Sequence, residues 1–270
     1  MHLTVEGHDV YAATGGKPHE AGRPLAVFLH GAGLDHTVWA LQSRWLAFHG
    51  WNVLAVDLPG HGASAGEPLA SVGALAAWVV SLLDAMAATA ATLIGHSMGS
   101  LVALETTAIA PDRVQGLVLI GTAPSMTVHE DLLAAAKAND HAAIDMVNLW
   151  GYGYRAGLGA SPAPGVWMVG VGERILEAAR PGVLYTDLAA CDAYADGLKS
   201  GARIGVPTLL ISGEKDQMTP LRSARSLAAA IQGSTHVVLR GAGHMLMAEC
   251  PDAILEALTT YLRPDSLARR

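Results

Sequence analysis

Leu93-Ile94-Gly95-His96-Ser97-Met98-Gly99-Ser100-Leu101 decides how the rest of the chain is read. A short apolar run ends in the pentapeptide Gly95-His96-Ser97-Met98-Gly99, and a helical run follows from Leu101 to Ile109. G-x-S-x-G between a strand and a helix predicts a strained turn. Small flanking residues let the backbones approach there and leave the Ser97 hydroxyl exposed. Upstream, the Ala-rich segment from Leu69 to Ile94 carries one charge, Asp84. Ser71, Gly73, Ser81 and Thr89 interrupt it, which favours a helix over Val72–Ala87 feeding a strand over Ala91–Gly95 rather than a membrane span.

The same pattern recurs on either side. Leu25–Leu29 runs into His30-Gly31, Val53–Val56 into Asp57-Leu58-Pro59-Gly60, and Leu117–Ile120 into Gly121-Thr122-Ala123-Pro124. Thr208–Ile211 runs into Ser212-Gly213-Glu214-Lys215-Asp216, and His236–Leu239 into Arg240-Gly241-Ala242-Gly243-His244. Continuous apolar runs are the signature of parallel strands buried on both faces, with helices as crossovers. Leu3–Val5 and Val10–Ala13 around Gly7-His8-Asp9 predict an opening hairpin. Each later run ends in Gly, Ser, Asp or His, so the polar residues gather at the carboxyl edge, where open α/β sheets bind ligands.

The rhythm breaks between Ser125 and about Gly201, where helices are expected over Asp131–Ala138, Ala142–Trp150, Glu173–Ala179 and Tyr185–Tyr194, around a Gly/Pro-rich stretch from Gly151 to Gly170. A helical insertion there is expected to be a cap over the carboxyl edge. Residues 1–124 and 202–270 then form the core domain and residues 125–201 the cap. The expected fold is an α/β sandwich with a mostly parallel eight-stranded sheet and the cap inserted after the sixth strand.

The 270 residues are 51% hydrophobic and 15% charged, with a net charge of -7. That composition excludes intrinsic disorder. Without a Lys/Arg block, it argues against a nucleic-acid or anionic-membrane partner. Cys191 and Cys250 form neither a CxxC motif nor a disulfide framework. Met1–Gly7 shows no signal-peptide pattern, so a cytoplasmic location is expected. A small-molecule partner is expected, with the chain a monomer or homodimer. No metal-ligand spacing such as HExxH is present, nor a GxGxxG or P-loop motif, so neither metal nor nucleotide cofactor is implied.

A serine hydroxyl needs a base to take its proton, and the base needs an orienting carboxylate. Among 12 histidines, His244 stands out because it follows the last strand in a small-residue loop at the carboxyl edge. His2, His8, His19, His129, His141 and His236 are read as surface or packing residues, and His96 as packing. For the acid, Asp216 and Glu214 both qualify. Asp216 is preferred because it lies further around its loop.

His30-Gly31-Ala32-Gly33, Asp57-Leu58-Pro59-Gly60-His61-Gly62, Gly95-His96-Ser97-Met98-Gly99, Gly213-Glu214-Lys215-Asp216 and Gly243-His244, in this order, resemble the α/β-hydrolase superfamily, in its group of compact bacterial ester and lactone hydrolases. The resemblance covers nearly the whole chain, and the order Ser97, Asp216, His244 is that of the superfamily. The Met98 amide, at the helix N-terminus after the serine, is expected to be one oxyanion donor. The resemblance places the second on Ala32. It also makes His30 a brace for its loop and the Asp57–Gly62 signature structural, with His61 and Ser64 as solvent-loop residues.

Leu34, Met126, Trp150, Tyr154, Trp167, Met218 and Met245 are the candidate pocket wall, an apolar and adaptable set. Arg155, Arg174 and Arg180 of the cap are candidates for a substrate carboxylate. The expected activity is hydrolysis of small to medium, mainly apolar carboxylic esters through an acyl-enzyme. Lactone, thioester or carbon–carbon bond hydrolysis and cofactor-free perhydrolysis are the alternatives on the same residues. Ser100 stands where the carbon–carbon and enol-lactone enzymes usually carry glycine, which counts against those two. Haloalkane dehalogenation is disfavoured because Ser97 stands where a carboxylate is needed. A non-catalytic small-molecule receptor is the reading from another class.

Overall fold

The computed structural model describes residues 1–162 and 165–262. Positions 163–164 of the Gly/Pro-rich stretch and 263–270 of the expected core domain lie outside the described residues. Eight strands form one sheet: β1 (His2–Val5), β2 (His8–Ala13), β3 (Leu25–Leu29), β4 (Asn52–Val56), β5 (Ala91–His96), β6 (Val114–Ile120), β7 (Thr208–Gly213) and β8 (Thr235–Leu239). Their spatial order is β1-β2-β4-β3-β5-β6-β7-β8. β1 and β2 pair antiparallel, β2 is antiparallel to β4, and all remaining pairs are parallel.

The hairpin turn differs from expectation. Val5 pairs with His8, so the turn is Glu6-Gly7, and His8 and Asp9 belong to the strand. Both turn residues have positive φ, 50° and 83°, as a two-residue turn matched to strand twist requires.

Residues of β3 alternate between two apolar layers. Leu25, Val27 and Leu29 join one and Ala26 and Phe28 the other, and every residue of the strand is buried. That is why its sequence shows no polar alternation. One layer holds α2 (Val72–Ala85) and α3 (Met98–Ile109). The other holds α1 (Ala40–Phe48) and α12 (Pro251–Tyr261), the last helix. α2 starts at its Ser71 cap, whose hydroxyl accepts the Ala74 amide, and its 14 residues span about 21 Å. Among the described residues no helix is long and apolar enough to cross a membrane.

Between β6 and β7 the described chain contains no strand. It forms α4 (Glu130–Lys137), α5 (Ala142–Gly151), α6 (Tyr154–Gly157), α7 (Met168–Ala178), α8 (Val183–Ala193) and α9 (Gly197–Gly201). α7 starts five residues earlier than the sequence pattern suggests, and α6 and α9 were not legible in it. α4, α5, α7 and α8 pack on one another, whereas α9 packs on α3 and on α10 (Leu221–Ala230) of the sheet side. The short α11 (Leu246–Glu249) follows the loop that carries His244.

Candidate active site

Ser97 sits between β5 and α3 with φ 52° and ψ -120°. A non-glycine residue held there costs on the order of 1–3 kcal/mol, which the surroundings must over-determine. Here they do. Its amide donates to Ile120 O at 3.0 Å, and its carbonyl accepts from the Ser100 amide at 2.8 Å and the Ser100 hydroxyl at 2.6 Å. The flanking glycines are sterically obligatory, because a Cβ at Gly95 would overlap the Gly99 carbonyl and one at Gly99 would overlap the Leu29 carbonyl. α3 therefore rests directly on β3 and β5, with its first turn beneath Ser97.

His244 and Asp216 come from the loops after β8 and β7. His244 Nδ1 lies 2.8 Å from Asp216 Oδ2. Asp216 also accepts the Met218 and Thr219 amides on Oδ1, at 2.9 and 2.8 Å, and the Thr219 hydroxyl on Oδ2, at 2.7 Å. Burial alone would raise its pKa. The His244 charge and hydrogen bond, followed by the Thr219 donors, hold it below the usual carboxylate value. An ionised Asp216 fixes the proton of His244 on Nδ1 and leaves Nε2 as the lone-pair nitrogen. That Nε2 is buried and has no hydrogen-bond partner among the described residues. Glu214 instead accepts the Gly241 amide on the exposed side of the loop, so of the two acids Asp216 is the one that meets the histidine.

The loop after β3 closes over the serine. A Cβ built at Gly31 would come within 3.2 Å of Ser97 Cβ. Among the described residues neither the Ala32 nor the Met98 amide has a hydrogen-bond acceptor. His30 braces this loop from beneath, with Nδ1 2.9 Å from Gly31 O and Nε2 accepting the Leu58 amide at 3.1 Å. Burial and then the neighbouring His61 push its pKa down to about 4, so the ring is neutral. His96 is also neutral. Burial and then His244 push it to about 3, and its Nε2 reaches His244 O at 3.0 Å.

Ser97 and His244 open onto a cavity of about 310 Å³. Leu34, Met126, Trp150, Met218 and Met245 line it, together with Ala32. Tyr154 and Trp167 do not. Tyr154 is 82% exposed on α6, and Trp167 is 62% exposed with its ring laid over Gly170. Both aromatics therefore face solvent. The wall that sequence reasoning missed comes from α4, α5, α7 and α8: Leu132, Val147, Leu176, Leu184 and Leu188. Their i, i+4 spacing on α8 was the available signal. His129, read as a surface or packing residue, is exposed; it also lines the cavity and lies 5.8 Å from the Trp150 ring.

Among the described residues no Asp, Glu, Lys or Arg lines this cavity. Arg174 pairs with Glu173 and Glu177, and Arg180 donates to Gly60 O and Gly66 O. The two three-residue groups among the described residues that could gather round a metal ion are Asp35, His36, Asp57 and His141, Glu173, Glu177, and neither lines the cavity.

His61 and Ser64 are buried, contrary to the solvent-loop reading. The Ser64 hydroxyl donates to Asp57 O, and His61 Nε2 lies 2.7 Å from Asp187 Oδ2 of α8, a partner 126 residues away that no local pattern announces.

Residues 26–257 match the alpha/beta hydrolase family. The chain is 31% identical to Esterase YbfF of Escherichia coli over 78% of its own length and 82% of that protein's. It is 33% identical to the pimeloyl-[acyl-carrier protein] methyl ester esterase of Neisseria meningitidis serogroup A, over 80% of this chain and 69% of that one. The enol-lactonase of Burkholderia xenovorans superimposes with a TM-score of 0.86 and 25% identity, covering 97% of this chain and 99% of the other. The strand order, the strained serine turn and these matches agree: the chain belongs to the alpha/beta hydrolase family and is a hydrolase.

Proposed function

We propose that the protein is a serine hydrolase of small to medium, uncharged carboxylic esters. The observation that carries this reading is that Ser97 and the buried His244, whose Nε2 has no hydrogen-bond partner among the described residues, line one cavity together, and that no Asp, Glu, Lys or Arg among the described residues lines it. Ser97 Oγ attacks the ester carbonyl as His244 Nε2 takes its proton. The developing oxyanion is received by the Ala32 and Met98 amides, whose preorganisation is worth roughly 3–4 kcal/mol per donor. His244 then gives the proton to the leaving alkoxide, and the alcohol departs. Water, deprotonated by the same nitrogen, attacks the acyl-Ser97 ester, and His244 returns that proton to Ser97 Oγ as the acid departs. Asp216 holds the imidazole in the tautomer both half-reactions need.

Two relatives named as esterases support the ester reading over the lactone alternative suggested by the enol-lactonase fold match. A substrate carrying a carboxylate would meet no Lys or Arg among the described residues of this cavity, and burying an unpaired charge is costly. The Ser100 hydroxyl donates to Ser97 O at 2.6 Å and lies 2.9 Å from the Thr122 hydroxyl, so both contacts tie it to the turn. The test is hydrolysis of p-nitrophenyl esters of increasing acyl length, neutral lactones and acyl thioesters, with fluorophosphonate labelling in parallel. Wild type is expected to label at Ser97 and to turn over the esters, and Ser97→Ala to lose at least about 10⁴-fold in kcat. Inert esters beside an active lactone or thioester would move the reading to that bond, and absence of Ser97 labelling would end it.

A further inference from the structure

The peptide units on both sides of Ala32 are each held by a buried side chain. The Gly31 carbonyl, which shares a planar trans peptide with the Ala32 amide, is 2.9 Å from His30 Nδ1. Because C=O and N–H point opposite ways in such a unit, anchoring this oxygen aims the Ala32 N–H the other way. The next peptide joins the Ala32 carbonyl to the Gly33 amide, and that amide donates to Asp187 Oδ2 at 2.8 Å. Asp187 belongs to α8 of the cap, not to the sheet.

The same oxygen of Asp187 meets His61 Nε2 at 2.7 Å, and both side chains are about 1% exposed. The other oxygen, Oδ1, is buried with no hydrogen-bond partner among the described residues. A carboxylate in that position is poorly suited to stability alone, since a neutral side chain would avoid the desolvation. His61 Nδ1 in turn reaches Pro59 O at 3.0 Å, and its ring centroid lies 4.8 Å from that of His30. Gly33 has φ 67°, a conformation that L side chains rarely adopt, and a Cβ there would come within 2.9 Å of Leu184 and 3.0 Å of Leu176. One connected cluster thus runs from the cap through Asp187, His61 and His30 to both peptides of Ala32.

We infer that Asp187, hydrogen-bonded to His61, is a positioning residue through which the cap sets the Ala32 amide for the transition state. This rests on the ester-hydrolase reading and adds a residue to it. The cap then supplies more than a pocket wall, because seating α8 completes the donor pair opposite Ser97.

The experiment compares wild type, Asp187→Asn and Asp187→Ala in ester hydrolysis, with kcat normalised to fluorophosphonate-titrated Ser97. In the same proteins it measures inhibition by a short alkylboronic acid. Boron bonds to Ser97 Oγ, and one boron hydroxyl occupies the place of the oxyanion. Asparagine keeps an oxygen for the Gly33 amide without the charge, whereas alanine removes both. Asp187→Ala is expected to lose about 30- to 100-fold in kcat with KM within threefold, and to bind the boronate weaker by a similar factor. Asp187→Asn is expected to fall between it and wild type.

An unchanged kcat in folded Asp187→Ala would overturn the inference. So would a kcat loss without a matching loss of boronate affinity, or a change confined to KM. If neither variant folds, Asp187 is a structural residue and the inference fails. Failure of the ester reading itself has a different signature, a wild-type protein without Ser97-dependent turnover.

Discussion

Among the carboxylates that join the helices between β6 and β7 to the rest of the fold, two flank the candidate site, and they reach in opposite directions. Asp187 extends from α8 into the core, where it meets the Gly33 amide and the His61 ring. Glu249 extends from α11 of the core toward the cap, accepting the Gly153 amide at 3.0 Å and the Gly243 amide at 3.0 and 3.1 Å. The first clamp secures the loop with the Ala32 amide, and the second secures the loop with His244, whose own amide donates to Gly151 O at 2.8 Å. They differ in what balances the charge. Asp187 has an ionisable partner buried beside it, while Glu249 has backbone dipoles and no ion-pair partner among the described residues. Burial accordingly pushes the Glu249 pKa up, and the amides of Gly243 and Gly153 only partly pull it back.

The largest effect expected from this difference is on stability. Asp187→Ala removes one partner of a fully buried pair and is expected to cost about 3–5 kcal/mol. Glu249→Ala strands two amides in a half-buried position and is expected to cost about 1–3 kcal/mol. Urea unfolding of both variants measures the gap. Equal losses would mean that the His61 pairing contributes nothing beyond its hydrogen bonds.

The pH dependence separates the clamps by window. Burial opposes a charge on His61, but the Asp187 charge and hydrogen bond outweigh it and raise its pKa above 6.5. The folded protein therefore binds more protons than the unfolded chain between pH 6.5 and the raised value, and stability falls as pH rises through that interval. Glu249 is also raised, from 4.5, so its contribution has the same sign in a more acid window that begins there. Asp187→Asn is expected to flatten the neutral-side decline and leave the acid-side one, and Glu249→Gln to do the reverse. Unfolding midpoints from pH 4 to 9 read both, and an Asp187→Asn profile parallel to wild type above pH 6.5 would show that His61 is not held charged.

The clamps also mark where sequence reading stops. Ser97, Asp216 and His244 were legible because each follows a continuous apolar run, and strand ends of a parallel sheet share one edge. The choice of Asp216 over Glu214 rested on reach alone; in the structure Asp216 lies against His244 and Glu214 against Gly241. Asp187 offered no such signal. In Val183–Ala193 the two acids are Asp187, which is buried, and Asp192, which is exposed, and only tertiary packing tells them apart. His61 was misplaced for the complementary reason. Its Pro/Gly surroundings describe a loop correctly, but burial of that loop follows from the cap above it, including Arg180 on Gly60 O.

The smallest expected effects concern the two faces of the cap. Apolar identity suggested Tyr154 and Trp167 as pocket wall beside Trp150, yet exposed aromatics are common, and identity alone does not say which way a helix faces. Trp150 lines the cavity, so Trp150→Ala is expected to raise KM for a medium-chain ester about tenfold, the equivalent of roughly 1.4 kcal/mol of lost apolar contact. Tyr154→Ala and Trp167→Ala are expected to leave KM within twofold and stability within about 0.5 kcal/mol, as for surface substitutions that break no buried contact. The series is read from initial rates on one ester with unfolding curves alongside. A tenfold KM change in Trp167→Ala at unaltered stability would place the outer face of the cap in contact with substrate during turnover. The cap would then have to turn that face inward at some stage of the cycle, with the Asp187 and Glu249 clamps as the contacts such a motion must break.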